Sequence, residues 1–237
     1  MRLILIGLDK SIMPNEKYIA FFDVDETLIT AKSMFSFLKF YWMQRQKPLI
    51  GMSRYFYYRI KIMLSQFIGT KREIINKKYY LNFKDISHAE LLAAGNSWWE
   101  TIFSTRSVFN KFSLSELLRH QKQGAEIVLV SGSFDVCVKP IARLLNVKYC
   151  LTTELEIASG YYTGNINGLP NIGDGKKKNI LQFIENFEGF SGLQNCYAYG
   201  DHLSDLPMLE LVGHPCVIGS NKILLQHANK NGWKIFS

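Results

Sequence analysis

The sequence has few cysteines, and their spacing is not typical of a bound metal ion. The four are Cys137, Cys150, Cys196 and Cys216, and three of them sit in apolar surroundings. Free buried thiols behave as small hydrophobic side chains, whereas disulfides belong to oxidising compartments and zinc sites need closely paired ligands. We therefore expect free thiols in a cytoplasmic protein, with neither a disulfide framework nor a zinc site.

Long uninterrupted apolar runs are also missing. Residues 49–68 approach the length of a membrane span, but Arg54, Arg59 and Lys61 interrupt them. Charged side chains are costly in hydrocarbon, so these residues argue against a span, although a helix lying on a lipid surface stays open. Residues 3–6 are too short for the core of a signal peptide. We expect them to form an extra strand or a disordered extension.

Acidic residues are scarce in residues 33–84, where eleven Lys and Arg accompany a single acid, Glu73. The rest of the chain is slightly acidic, so the formal net charge of +8 comes from this segment. Aromatic side chains are interleaved with the basic ones. Such a pattern fits an aromatic core with a solvated basic exterior, a substrate lid, an anionic-lipid surface or a nucleic-acid surface. We favour the first and expect no nucleic-acid partner, because no nucleic-acid-binding motif accompanies the charge.

An acidic motif follows the apolar residues 18–22, which are typical of a buried strand. In this motif, Asp23-Val24-Asp25-Glu26-Thr27, two carboxyl groups come just past the carboxyl end of the strand. Ligands bind at that end in open parallel sheets. Two carboxyl groups directed to one place indicate acid and base chemistry or a divalent metal ion.

Three further segments follow in order along the chain. Residues 128–130 form a second predicted strand, which runs into Ser131-Gly132-Ser133. Residues 177–181 begin a predicted helix at Lys177. Residues 196–199 form a third predicted strand, which ends in Gly200-Asp201-His202-Leu203-Ser204-Asp205. Polar side chains at the ends of three strands in one α/β protein favour a shared site over three unrelated turns.

With these four motifs, residues 18–220 resemble the haloacid dehalogenase superfamily, and more narrowly its subfamily IB, which contains phosphoserine phosphatase. The resemblance implies a Rossmann-like α/β core, in which helices flank a parallel sheet, and an inserted α-helical cap of the C1 type. We expect residues 1–32 and 106–237 to form the core and residues 33–105 the cap. Residues 33–105 have helix-like apolar spacing, and Pro48 is their only proline.

The resemblance implies a Mg²⁺-dependent phosphatase that works through an aspartyl-phosphate intermediate. Asp23 would be the nucleophile and Asp25 the general acid and base. The Mg²⁺ ligands would be the carboxylates of Asp23 and Asp201 and the main-chain carbonyl of Asp25, with Asp205 in support. Dehalogenating relatives lack the second aspartate, so dehalogenation is not expected here.

The phosphate group would be held opposite the metal ion. The resemblance assigns this to Thr27, Ser131, the backbone N–H of Gly132 and a lysine that is also catalytic. Lys177 is preferred over its neighbours Lys176 and Lys178, because related proteins place a leucine four residues after the lysine, as Leu181 is here.

Two positions bear on the substrate. Lys32 stands where phosphoserine phosphatases carry an acid that recognises the substrate's amino group, and Ser204 stands where they usually carry asparagine. We therefore expect a small-molecule phosphate monoester other than phosphoserine. The alternatives are a peripheral membrane phosphatase acting on a lipid phosphate, and a weakly catalytic protein whose basic aromatic cap binds anionic lipid or a partner. Contact with an anionic membrane and the oligomeric state stay open.

Overall fold

Six parallel strands form the central sheet in a computed structural model that describes residues 17–102 and 108–236. They are β1 (Ile19–Asp23), β2 (Glu126–Val130), β3 (Tyr149–Leu151), β6 (Tyr197–Gly200), β7 (His214–Ile218) and β8 (Lys234–Phe236), in the spatial order β3-β2-β1-β6-β7-β8. Strands β4 (Leu155–Ala158) and β5 (Tyr161–Ile166) form a separate antiparallel hairpin. Every residue of β1 is buried, as expected for a strand covered on both faces.

The chain leaves β1 first toward β2 and β3 on one side and later returns to β6 and β7 on the other. The crevice at the carboxyl ends of β1 and β6 is therefore the topological switch point of the sheet, where open α/β proteins bind ligands. The predicted α/β class with a parallel sheet is confirmed. The short final strand, β8, was not predicted from the sequence and adds a sixth strand to the sheet.

Helices flank the sheet and fill the long interval between β1 and β2. This interval contains α1 (Ser33–Arg45), α2 (Pro48–Phe67), α3 (Arg72–Tyr80), α4 (His88–Ile102) and α5 (Lys111–Lys122). The remaining helices are α6 (Asp135–Leu144), α7 (Asp174–Glu185), α8 (Leu206–Leu209) and α9 (Lys222–Lys230). The first four are the helices expected in the cap, while the proposed domain boundaries stay a prediction.

An aromatic cluster joins the helical segment to the core. Phe134, at the start of α6, lies 5.3 Å from Phe83 and 5.8 Å from Phe37 between ring centroids. Gly95 of α4 packs so closely on α6 that a Cβ atom there would lie 2.6 Å from Val136 Cγ1. The helices over the sheet therefore share one hydrophobic cluster with it and are fixed in position above the strand ends.

All four cysteines are free thiols, and Cys137, Cys196 and Cys216 are buried. In the part of the chain that the structure describes, no helix is long and apolar enough to cross a membrane. The strand or extension expected at residues 3–6 lies outside the described residues.

A buried polar network lies behind β1 and β6. The Nε2 atom of His120 is 2.9 Å from the Tyr199 hydroxyl, which donates to Glu116 Oε2 at 2.9 Å. Arg119 binds the same carboxylate oxygen of Glu116 at 2.8 Å. Burial, reinforced by the nearby charge of Arg119, lowers the pKa of His120 to about 4. His120 is therefore neutral in the folded protein at neutral pH.

This network predicts a loss of stability in acid. In the unfolded chain His120 takes up a proton near its ordinary pKa of 6.5, whereas in the folded chain it does so only near pH 4. Lowering the pH from 7 to 5 should therefore reduce the free energy of unfolding by about 2 kcal/mol through this residue. Urea unfolding at the two pH values measures the change, with His120→Gln as the control. An equal loss in the variant would show that other groups cause it.

Candidate active site

The register of the sheet brings three of the sequence motifs to one edge. Asp23, the last residue of β1, pairs with Val130 of β2, and Ser131 follows directly. On the other side of β1, Phe22 pairs with Tyr199 of β6, so Gly200 and Asp201 come next to the end of β1. Because all three strands are parallel, their carboxyl ends meet at one place.

One lysine links two carboxylates at this edge. Lys176 Nζ lies 2.5 Å from Asp23 Oδ1 and 2.7 Å from Asp205 Oδ1, and all three side chains are almost completely buried. Asp23, Asp201 and Asp205 each offer an oxygen within 4.8 Å of the other two. The site thus holds three carboxyl groups around one ammonium group.

The lysine in this cluster is Lys176, and the sequence-based choice of Lys177 is therefore wrong. Helix α7 directs Lys176 inward together with Ile180, one turn later, and both are buried. Lys177 and Lys178 are exposed on the outer side of the same turn. The leucine spacing that favoured Lys177 misplaced the helix by one residue.

Backbone donors hold Asp205 in place. Its Oδ2 atom accepts hydrogen bonds from the N–H groups of Asp201, at 3.2 Å, and His202, at 3.0 Å. Gly200 allows the close approach, because a Cβ atom there would lie 2.6 Å from Asp205 Cβ. Thr27 Oγ1 donates to Asp201 Oδ1 at 3.0 Å. Asp205 thereby fixes the loop after β6, and Thr27 is hydrogen-bonded to Asp201. The auxiliary role of Asp205 and the phosphate contact of Thr27 stay predictions.

The charges in the cluster oppose one another. Burial raises the pKa of Asp23 well above its usual range and Lys176 counteracts this, while Asp205 and Asp201 add to the rise. Burial and the Asp205 carboxylate raise the pKa of Asp201 to about 6. Burial disfavours the charge of Lys176, but Asp205 and Asp23 outweigh it and raise the pKa of the lysine above its usual range. One ammonium group cannot balance three ionised carboxylates.

Asp25 occupies a different environment two residues after Asp23. Its Oδ1 atom accepts the N–H of Ser33 at 3.0 Å, and its Oδ2 atom lies 3.1 Å from the Ser33 hydroxyl. Burial raises its pKa to about 6, and the hydrogen bonds from Ser33 oppose the rise. Its carboxyl group is thus held at the start of α1, in a setting suited to proton transfer.

The loop after β2 is held by donors from several elements. The carbonyl of Gly132 accepts hydrogen bonds from Asn76 Nδ2, the Tyr80 hydroxyl and Thr153 Oγ1, each at 2.9 Å. The Ser131 hydroxyl accepts the N–H of Ser133 at 3.1 Å. With the Gly132 carbonyl turned toward these donors, the loop has a fixed conformation directly beside Asp23.

Two cationic side chains lie at the outer edge of the site. Lys32 forms an ion pair with Glu26 at 3.0 Å, and Arg72 donates to Ser204 Oγ at 3.2 Å. Burial is the main cause that lowers the pKa of His202, and the positive charges of Arg72 and Lys32 lower it further. Both cations therefore lie close enough to His202 to act on it electrostatically. The two specificity positions predicted from the sequence, Lys32 and Ser204, are thus both found near His202.

Sequence reasoning missed the contribution of α3. Arg72, Asn76 and Tyr80 recur every four residues and therefore lie on one face of the helix. Arg72 contacts the loop after β6, whereas Asn76 and Tyr80 contact the loop after β2. The sequence feature that could have revealed this is the recurrence of hydrogen-bonding side chains every four residues along the segment.

The donor set fits a magnesium ion. Mg²⁺ prefers hard oxygen ligands, and carboxylate oxygens of Asp23, Asp201 and Asp205 converge at the site. A divalent cation would also offset the excess negative charge that Lys176 leaves uncompensated. Two oxygens of Asp205 are already occupied by Lys176 and backbone N–H groups, so Asp23 and Asp201 are the better placed ligands.

Replacing the buried lysine tests this geometry. Lys176→Met would leave buried carboxylates without their cation, so we expect the free energy of unfolding at pH 8 without divalent metal to fall by about 3–5 kcal/mol. The matched change Lys177→Met, on the exposed side of the same turn, should alter it by less than about 0.5 kcal/mol. Urea denaturation of both variants makes the comparison. Equal effects would mean that Lys176 is not the lysine of the cluster.

Known proteins give an independent comparison. A family model described as haloacid dehalogenase-like hydrolase matches residues 20–210. A probable phosphatase of Mycobacterium tuberculosis is 29% identical over 237 residues, which cover 94% of this chain and 76% of that protein. A phosphoserine phosphatase of the same species is 28% identical over 217 residues, covering 91% and 69%.

Solved structures have the same fold. A protein of unknown function from Bordetella pertussis Tohama I superposes with a TM-score of 0.81 at 23% identity, covering 93% of this chain and 98% of that one. A phospho-aspartyl intermediate analogue of phosphoserine phosphatase superposes with a TM-score of 0.62 at 21% identity, covering 93% and 92%. At these identities the likeness concerns the fold.

Proposed function

The chain belongs to the haloacid dehalogenase-like hydrolase family, and on that premise we propose that it is a Mg²⁺-dependent phosphatase of a phosphate monoester. The observation that carries the proposal is the buried cluster in which Lys176 bridges Asp23 and Asp205 beside Asp201. Similar proteins named as phosphatases support the reaction class. The contacts described above support a role for each residue.

Asp23 is the proposed nucleophile. Lys176 contacts its Oδ1 atom and orients the carboxylate, one oxygen of which attacks the phosphorus of the ester. A P–O bond then forms to Asp23 while the bond from phosphorus to the alcohol oxygen breaks, and the product is an aspartyl-phosphate. Lys176 orients the carboxylate and stabilises negative charge on the transferring group.

Asp25 is the proposed general acid and base. In the first step its carboxyl proton passes to the leaving alkoxide, and in the second it takes a proton from the water that attacks the aspartyl-phosphate. The hydrogen bonds from Ser33 hold both carboxyl oxygens. Loss of Asp25 should therefore slow both half-reactions.

Asp23, Asp201 and the main-chain carbonyl of Asp25 would hold Mg²⁺, which when bound neutralises charge between the nucleophile and the phosphate dianion. Thr27 positions Asp201 through its hydrogen bond. Asp205 positions Lys176 and the loop after β6. On the opposite side, Ser131 and the N–H of Gly132 would bind phosphate oxygens.

The proposed substrate is not phosphoserine, although one similar protein carries that name. Arg72 and Lys32 give the outer edge of the site a positive charge, and Glu26 offsets only part of it. Cations there disfavour the ammonium group of phosphoserine and favour a neutral or anionic group. A lipid phosphate is the second candidate substrate, supported by the exposed apolar side chains of α2, which ends five residues before Arg72.

Phosphate release from a panel of monoesters tests the function. The panel contains phosphoserine, sugar phosphates, nucleotides and lysophospholipid phosphates, with and without Mg²⁺. We expect Mg²⁺-dependent turnover of at least one ester, poor turnover of phosphoserine, and a fall in kcat of at least about 10³-fold in Asp23→Asn, because a carboxamide is a poor nucleophile.

Glu185→Gln, an exposed change on α7, serves as the matched control and should keep wild-type activity. Undiminished turnover in Asp23→Asn, or turnover that needs no divalent metal, would contradict the proposed mechanism. Efficient hydrolysis of phosphoserine would overturn the specificity argument alone.

A further inference from the structure

Helix α2 has one face on the protein and an opposite face in solvent. Gly51, Tyr55, Tyr58 and Ile62 lie on the inner face at helical spacing. Gly51 packs so tightly on α1 that a Cβ atom there would lie 2.7 Å from the Trp42 carbonyl oxygen. Tyr58 stacks edge-on against the Trp42 ring at 5.7 Å. The inner face therefore anchors the helix firmly to α1.

The opposite face is largely apolar, and Ser53 is the polar residue within it. Leu49, Phe56, Ile60, Met63 and Phe67 follow one another at steps of seven, four, three and four residues, which place them on one side. Between 53% and 89% of each of these residues is exposed. Tyr57 and Leu64 are also exposed and widen the strip. We call these seven residues the outer face of α2.

Proteins in water rarely expose an apolar strip this long without a partner. The helix has 20 residues, which at 1.5 Å per residue gives an apolar strip about 30 Å long. The inner face makes the contact with α1, and none of the residues that the structure describes covers the outer face.

Basic side chains border the outer face on both sides. Arg54 and Lys61 lie along one border and Arg59 along the other, as helical spacing requires. The guanidinium groups of Arg54 and Arg59 lie over the rings of Trp42 and Phe35 of α1 at 4.4 Å and 4.2 Å, so both charges lie at the junction of α1 and α2, beside the outer face. Residues 33–72 contain no acid, so these cations have no carboxylate in the surrounding segment.

We propose that the outer face of α2 docks on an anionic lipid surface, with the helix lying in the plane of the interface. Aromatic and aliphatic side chains would enter the region between headgroups and acyl chains, and the bordering cations would meet lipid phosphates. A second copy of the chain is the less suitable occupant. A two-fold contact through this face would bring Arg54, Arg59 and Lys61 of both copies together with no acid in α2 to pair them.

The outer face of α2 ends near the outer edge of the active site. Phe67 precedes Arg72 by five residues, a distance of at most about 18 Å for an extended chain, and Arg72 contacts Ser204 at the outer edge of the site. The docking proposal itself does not depend on the catalytic function, so either can fail without the other.

Flotation with lipid vesicles tests the proposal on the whole chain. Wild-type protein should float with vesicles of phosphatidylcholine and phosphatidylglycerol, but not with phosphatidylcholine alone, and binding should fade as salt rises. The triple variant Phe56→Ser, Ile60→Ser and Phe67→Ser should bind at least about tenfold more weakly. Arg59→Gln with Lys61→Gln should weaken binding about fivefold for each charge removed at low salt.

The matched control is Leu118→Ser, Leu144→Ser and Ile223→Ser, which removes three exposed apolar side chains elsewhere on the surface. It should bind like wild type. Thermal unfolding and light scattering of every variant report folding and oligomeric state. Absence of wild-type binding to anionic vesicles would overturn the proposal, as would equal binding by the outer-face variant. A wild-type dimer that becomes a monomer in that variant, with no vesicle binding, would assign the face to a second copy.

Discussion

The whole structure depends on the placement of three carboxyl groups and one ammonium group in a buried crevice. Burial alone would drive the carboxyl groups to hold their protons, and neighbouring carboxylates add to that tendency. Lys176 opposes it through contacts of 2.5 Å and 2.7 Å. The remaining charge imbalance makes the crevice receptive to a divalent cation. A phosphate group can approach Asp23 only when positive charge outweighs the carboxylates, which is why cation binding and catalysis are linked in this account.

The fold brings these carboxyl and ammonium groups together from distant parts of the chain. The parallel register of β1, β2 and β6 brings Asp23, Ser131 and Asp201 together, and α7 adds the lysine from the side. Helix α3 spans the crevice, from Ser204 at one end to the Gly132 carbonyl at the other. The aromatic cluster around Phe134 fixes that helical layer to the core. The same layer carries Arg72 at the outer edge of the site and the exposed face of α2, so the proposed substrate preference and the proposed docking would both depend on this segment.

Much of this could be predicted from the sequence, because buried parallel strands are nearly continuous apolar runs and their carboxyl ends must coincide. Asp23, Asp201 and Asp205 were found in that way. Which side of α7 faces the site could not be predicted, because it depends on a tight turn. Gly175 packs on Pro170 so closely that a Cβ atom would lie 2.0 Å from its carbonyl oxygen, and this contact directs Lys176 inward. Strand β8 was missed because three residues at an edge carry little pattern, and the α3 contacts were missed because they are made across distant segments.

The most direct test of the central claim is chemical trapping of phosphate on Asp23. Protein turning over its substrate with Mg²⁺ is quenched in acid and digested, and the peptide of residues 18–32 is analysed by mass spectrometry. We expect a phosphoryl group on Asp23 that hydroxylamine removes, both in the wild type and in Asp25→Asn. Turnover without any phosphorylated peptide in either protein, together with an active Asp23→Asn variant, would contradict it.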